Sequence, residues 1–151
     1  MDFIITLAIE FIIAVVATLA FAILYNVPRE QWIFGGLTGA ISWLVYRLAS
    51  IKLSLVIATF LATLVVVFIA RTFAVTRKTP VIIFLVCGIF PLVPGVGIYY
   101  TAYYFIMSDF ALAGAKGTET LKLALAIALG IICILSLPQK LFLLFERKNK
   151  Q

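Results

Sequence analysis

Two prolines and two glycines fall within the segment 91–97, inside an otherwise apolar stretch of the chain. Pro91 and Pro94 each lack a backbone N–H, and each clashes with the preceding turn of a helix. Gly95 and Gly97 permit backbone dihedral angles that other residues adopt only at a cost in energy. We therefore expect a break in the helical structure here, with irregular backbone between two apolar runs.

The apolar runs that flank this break cover residues 81–90 and 98–107. About ten residues of helix rise about 15 Å, which is about half the thickness of a bilayer. Irregular backbone at that depth must be covered by protein or must line a watery cavity. In transporters, the free N–H groups of such a half-helix point at an anionic group, for example a carboxylate. The break thus predicts a substrate site, and a kinked helix without a ligand is the alternative.

Hydroxyl groups follow the break at Tyr99 and Thr101, within a group of four tyrosines between 99 and 104. These hydroxyls would suit the wall of a polar path through the membrane. Tyrosine rings equally suit a belt at the membrane surface, because one end of the ring is apolar and the other is polar. Both interpretations stay open on the sequence.

Glu10 is the one carboxylate within the first apolar run. Near a helix centre, an ionised carboxylate costs about 2.5–3.5 kcal/mol on insertion scales, and such a residue usually faces a cavity or carries protons. Because Glu10 lies about 10 Å from the start of the run, its side chain would also reach the membrane surface by snorkelling. Glu10 is therefore a candidate for the substrate path. Arg47 and Tyr46, at the end of the second run, are interpreted as plain interfacial anchors.

The elements that must position these residues are all expected to be helices in lipid. Hydrophobic residues make up 65% of the 151 residues, compared with about 45–50% in soluble domains. We predict an all-α integral membrane protein, a single transmembrane domain (1–151) with about five transmembrane helices, the fourth broken at the Pro-Gly motif. A polar loop of small residues is expected at 108–120, with Asp109 and Lys116 as solvated charges. The predicted spans are 3–25, 32–48, 53–73, 81–107 (broken near 91–97) and 121–145.

The net charge of +6 does not indicate a nucleic-acid partner, because the cations fall between the apolar runs and at the C-terminus. Eight Lys and Arg residues lie on the side of the first loop, the third loop and the C-terminal tail, against four on the other side. The positive-inside rule then places the C-terminus in the cytoplasm and, with five spans, the N-terminus outside. We expect a multi-pass protein of the cell membrane.

Familiar metal sites and catalytic sites are not visible in the sequence. No histidine occurs, and Cys87 and Cys133 lie far apart within apolar runs, which matches no familiar zinc or haem site. We predict neither a metal nor a cofactor. Because no nucleophile stands beside an evident base, an enzyme is not expected. A membrane scaffold that transports nothing is the alternative, since the helix-packing motifs alone would suffice for it.

Two motifs resemble a known family of membrane transporters. Residues 21–28, FAILYNVP, resemble the F-A-x-x-x-N-V-P junction after the first span of the threonine/serine exporter (ThrE) family. Residues 90–95, FPLVPG, together with Tyr99, resemble the proline-glycine break in that family's fourth span. The chain length, the five spans and the short basic tail resemble the family's small YjjB-like subunit.

The resemblance implies one half of a transporter that exports small polar carboxylates, most of all threonine and serine. Some YjjB-like subunits resemble succinate exporters, so a dicarboxylate is the alternative substrate. The resemblance also implies a hetero-oligomer with a larger YjjP-like membrane subunit, and the two halves would form inverted repeats with the site between them. The candidates for the substrate path are then Glu10, Asn26, Pro91, Pro94, Gly95, Gly97, Tyr99 and Thr101.

Overall fold

The computed structural model describes residues 2–138 and residue 142, with side chains from residue 4 onward. Within these residues the chain forms six α-helices and two short 3₁₀ turns, and no strand. The all-helical fold that the sequence predicts is therefore confirmed for the described part. The helices are α1 (Asp2–Leu24), α2 (Trp32–Ala49), α3 (Leu55–Arg77), α4 (Val81–Ile89), α5 (Gly95–Ile106) and α6 (Phe110–Leu135).

Three of these helices, α1, α3 and α6, are long and apolar enough to cross a membrane. The bent pair α4–α5 adds a fourth crossing if the two helices together form one span. Large apolar side chains on these helices are exposed, for example Ile12 at 61% and Ile132 at 62%, and lipid is the solvent that favours such a surface. α2 is shorter, with 18 residues, and the count of five spans stays a prediction.

α2 lies at the centre of the bundle, where it contacts α1, α3 and α4. A Cβ atom on Gly39 of α2 would lie 2.6 Å from Cγ2 of Thr18 in α1, so only a glycine fits there. Thr38 of α2 packs in turn against Gly88 of α4. The spacing of the small residues in α2 predicts such close approach of a neighbouring helix, and the structure confirms it.

The main apolar core lies between α3 and α4, and α6 closes it from one side. α6 runs beside α3 in the same direction, with Gly130 against Thr63 and the end of α6 at Arg71. The buried residues at the centre of this core are Val66, Val67 and Ala70 of α3 and Phe84 and Leu85 of α4.

Left-handed residues end three of the helices. Among the described residues, the non-glycine residues with positive φ are Asn26 (53°), Lys78 (51°) and Ser108 (60°). They follow α1, α3 and α5, and in each case the N–H of the next residue donates to the carbonyl five residues before it. This is the Schellman pattern, which satisfies the free carbonyls at a helix end. The turns between the helices are therefore fixed locally.

α6 begins at Phe110, so the prediction of a polar loop up to residue 120 is wrong. The carboxylate of Asp109 accepts a hydrogen bond from the N–H of Leu112 at 3.1 Å and caps the helix. Residues 110–120 include three alanines, and their helix propensity, together with this cap, outweighs the two glycines of the segment. Only residues 107–109 join α5 to α6. The end of the predicted fifth span, beyond residue 138 and apart from residue 142, lies outside the described residues.

Basic side chains join the first loop, the third loop and the end of α6 at one end of the bundle. Nε of Arg77 donates to Oε1 of Gln31 at 3.2 Å. Nη1 of Arg71 donates to the carbonyls of Ile134 at 2.6 Å and Leu137 at 2.9 Å, and so caps the end of α6. The sequence places these cations on one side of the membrane, and they do share one end; which side that end faces stays a prediction.

Candidate functional site

The predicted break lies between α4 and α5 and turns the chain by 57°. α4 ends at Ile89, a 3₁₀ turn covers Phe90–Leu92, and Val93 is extended before Pro94. Pro94 stands at the cap position of α5 and provides no side-chain hydrogen bond to its first turn. The N–H of Gly95 donates to the carbonyl of Val93 at 2.8 Å, so the N–H groups of Val96 and Gly97 are the ones left for a ligand, for water or for another chain.

The two glycines of the break have ordinary dihedral angles, and they differ in how closely they pack against α6. Neither Gly95 nor Gly97 has a positive φ, so the expectation of glycine-specific dihedral angles is wrong. A Cβ atom on Gly97 would clash with Oγ1 of Thr120 in α6, whereas a Cβ atom on Gly95 would meet nothing within 4 Å. Gly97 is therefore required by close packing against α6, and Gly95 faces open space.

α5 leaves the bundle at the break and packs along the first half of α6. The two helices run antiparallel, with Gly97 against Thr120 and Thr101 against Gly117. No side chain of α5, which the structure describes in full, is buried. We call α5 and residues 110–122 of α6 the break hairpin. Its outer surface is open to whatever surrounds the chain.

A cavity of about 460 Å³ lies where the break meets α6; its wall is mostly apolar but includes charged and hydroxyl-bearing side chains, and we call it the break cavity. Pro94 and Gly97 form part of its wall, and the phenol rings of Tyr100 and Tyr104 lie on the α5 side. On the α6 side, Nζ of Lys116 lies 3.1 Å from Oε2 of Glu119, and both side chains are about half exposed. The break cavity therefore combines hydroxyl groups with one charge of each sign.

The two charged residues of the break cavity are not among the site residues that the sequence predicts. Lys116 is predicted to lie in a loop, as a solvated charge, and Glu119 is not singled out. Their i, i+3 spacing, directly after a segment with three alanines, was the available signal. Because α6 begins early, both side chains lie on a helix that packs against the break.

A larger groove of about 810 Å³ borders the same hairpin and is almost entirely apolar. Thr101 and Thr120 line it, but their hydroxyls donate to the carbonyls of Gly97 and Lys116, each at 2.7 Å. The hydroxyl of Thr101 is therefore engaged within its own helix. This groove therefore presents few hydrogen-bonding groups to a polar metabolite.

Tyr99 points away from both spaces at the break. Its side chain is among the exposed ones, at 63%, and its ring lies 5.3 Å from that of Tyr100 and 6.3 Å from that of Tyr103. Of the candidates at the break, Pro94 and Gly97 line the break cavity. Pro91 lies in the 3₁₀ turn of the break and lines neither of the two spaces.

Glu10 lies elsewhere, between α1 and α2. Its Oε2 accepts a hydrogen bond from Nε of Arg47 at 2.8 Å and one from Nε1 of Trp43 at 3.2 Å. Arg47, which the sequence suggests as an interfacial anchor, is also the ion-pair partner of Glu10. Neither residue lines the two spaces at the break.

Asn26 occupies a third location, at the end of α1. Its positive φ ends the helix, and the side chain of the following Val27 is buried against Ala22 and Cys87. Asn26 borders a small recess of about 190 Å³, which is separate from the break cavity. The structure thus divides the predicted path residues among three places instead of gathering them into one.

The family model of the threonine/serine exporters, ThrE, matches residues 10–137 of the chain. This match covers α2 to α6 completely and α1 from Glu10 onward. The chain belongs to the threonine/serine exporter family. Comparisons with curated proteins and with solved structures found no match.

Membership of the threonine/serine exporter family assigns this chain to membrane transport. The recognition made from the junction at 21–28 and the break at 90–95 is confirmed, because both segments lie within the matched residues. The long apolar helices of the structure agree with a place in the lipid bilayer.

Proposed function

We propose that this chain is one half of a cell-membrane exporter for threonine and serine, and that the break cavity is its half of the substrate site. The observation that carries the proposal is the pairing of Lys116 with Glu119 beside the break. An amino acid at neutral pH carries a carboxylate and an ammonium group. Lys116 would bind the carboxylate and Glu119 the ammonium group.

The exposed ion pair can open for a substrate at little cost. Exposed pairs of this kind stabilise a protein by about 0–1 kcal/mol. The contacts of a zwitterion with both charges would therefore offset the free energy lost when the pair opens. The phenol groups of Tyr100 and Tyr104, on the opposite wall, would hydrogen-bond the hydroxyl that threonine and serine share. The N–H groups of Val96 and Gly97, which also line the break cavity, would add donors for the carboxylate.

A dicarboxylate such as succinate fits the break cavity less well. Its second carboxylate would meet Glu119, and like charges within a few ångströms repel each other. A scaffold role requires neither a break nor charges beside it. The break cavity therefore favours the amino-acid substrate over both alternatives.

We infer further that a second chain completes the site. The break hairpin is exposed on its outer side, and the irregular backbone at the break must be covered by protein or line a cavity if it lies within the membrane. A larger YjjP-like subunit, related to this half as an inverted repeat, would cover the hairpin and leave the site between the halves. In this arrangement the C-terminus is cytoplasmic and the N-terminus is outside.

The test is efflux of labelled threonine from preloaded cells that express both subunits, with Lys116→Gln or Glu119→Gln in this chain. We expect each substitution to lower efflux about tenfold or more, because a hydrogen bond to a charged group contributes about 1.5–3 kcal/mol. Lys122→Gln is the matched control, since Lys122 lies on the same helix and lines a different recess. Equal efflux by all three variants, at equal amounts in the membrane, would reject the site.

Glu119→Gln also tests the substrate class. Removing this negative charge should raise efflux of succinate relative to threonine, because the repulsion of the second carboxylate is lost. If succinate is the better substrate of the unaltered protein, the chain is an exporter but its substrate is a dicarboxylate.

A further inference from the structure

A second charged cluster lies outside the break, where α1 meets the last turn of α2. Oε2 of Glu10 accepts from both Nε of Arg47 and Nε1 of Trp43. The side chains are partly open, 36% for Arg47 and 24% for Glu10. We call these three side chains the interfacial cluster. It plays no part in the proposed substrate site.

The interfacial cluster uses only part of its hydrogen-bonding capacity. A guanidinium group has five N–H donors and a carboxylate has two acceptor oxygens. Within the described part of the chain, the hydrogen bonds of Arg47 and Glu10 involve Nε and Oε2 alone. Both terminal nitrogens of Arg47 and Oε1 of Glu10 are left for a partner. That partner must carry an oxyanion for the guanidinium group and a donor for the carboxylate.

The surroundings of the interfacial cluster indicate that its partner comes from the bilayer. The ring of Tyr46 lies 5.4 Å from that of Trp43, and such rings prefer the level of the lipid headgroups. Large apolar side chains next to the cluster are exposed, Ile13 at 60% and Leu48 at 47%. A headgroup with attached acyl chains matches a charged cluster beside an apolar surface.

We propose that the interfacial cluster binds the headgroup of a phospholipid with a primary amine, of the phosphatidylethanolamine type. The terminal nitrogens of Arg47 hold the phosphate as a fork. Oε1 of Glu10 accepts from the ammonium group, and the acyl chains run along the exposed apolar side chains of α1. A purely anionic lipid fits less well, because Glu10 repels added negative charge. A choline lipid lacks the N–H that Glu10 requires.

The test measures lipids that remain on the purified full chain by native mass spectrometry, after exchange into phosphatidylethanolamine, phosphatidylcholine or phosphatidylglycerol. We expect the unaltered protein to retain phosphatidylethanolamine about tenfold more strongly than either other lipid. Arg47→Gln should abolish this preference. Glu10→Gln should shift it to phosphatidylglycerol, because the phosphate contact stays and the repulsion is removed.

Arg29→Gln is the matched control, because Arg29 also lies close to a tryptophan, 5.9 Å from the ring of Trp32, and it should keep the preference. If Arg47→Gln does not fold, Arg47→Lys keeps the charge but loses the fork, and it should lower the preference. The lipid series on the unaltered protein needs no variant at all. Equal retention of the three lipids, or displacement of phosphatidylethanolamine by free threonine, would overturn the proposal.

Discussion

Gly97 shows how a single missing side chain shapes the candidate site. Its backbone approaches Thr120 so closely that a Cβ atom has no room. The hydroxyl of Thr120 is bonded to the carbonyl of Lys116, so this side chain cannot turn away without losing a hydrogen bond. The close contact therefore sets the distance between the break and the charged face of α6.

Gly97→Ala should separate α5 from α6 and lower threonine efflux, whereas Gly95→Ala should have little effect. Overpacking of this kind costs about 1–3 kcal/mol, while a Cβ atom on Gly95 meets open space. The measurement is efflux together with thermal stability of each purified variant.

A second substitution provides the control for this pair. Thr120→Ala removes the atoms that a Cβ on Gly97 would strike most closely, so the double variant Gly97→Ala with Thr120→Ala should recover stability. If Gly95→Ala is as harmful as Gly97→Ala, close packing is not the reason for the glycine.

Asn26 belongs to a recognisable motif, and its role in the structure is to end helix α1 in the left-handed conformation. Glycine adopts that conformation without strain. Asn26→Gly should therefore keep threonine efflux near that of the unaltered protein. Asn26→Val should destabilise the protein by about 1–2 kcal/mol, measured by thermal unfolding in detergent. Loss of efflux in a stable Asn26→Gly protein would instead place the Asn26 side chain in the substrate path.

At the scale of the elements, the sequence predicted the break well because its cause is local. Prolines remove donors from their own turn, so the position of the break follows from Pro91 and Pro94 alone. The start of α6 was predicted wrongly, because small and charged residues at 110–120 are typical of loops and also of exposed helices. Asp109 as a cap and the i, i+3 pair of Lys116 and Glu119 favour the helix.

Replacing both Pro91 and Pro94 with alanine tests whether the break is needed. The double variant should restore helical hydrogen bonding between α4 and α5, reduce the 57° bend and draw the break hairpin away from its position. We expect threonine efflux to be lost while insertion into the membrane stays normal. Efflux near that of the unaltered protein would show that the prolines merely kink a helix.

At the scale of the whole molecule, the contacts that the sequence did not predict are those between distant residues. Glu10 and Arg47 are 37 positions apart, and no local pattern connects them. The same is true of the break cavity, which depends on how α6 packs against α5. The family was nevertheless recognisable, because its two motifs are short segments that a sequence displays directly.

The exposed break hairpin is the feature that supports the proposal that this chain is one half of a transporter. A partner that completes the site would cover α5, which has no buried side chain, and would close the open side of the break cavity. If a second subunit completes the site, transport requires both subunits.

The most direct test is efflux of labelled threonine from preloaded cells that express this chain alone, the larger YjjP-like subunit alone, or both. The amounts of each protein in the membrane are matched between the cultures. The account predicts faster efflux with both subunits than with either one. Efflux by this chain alone at the rate of the pair, or no efflux when both are present in the membrane, would contradict it.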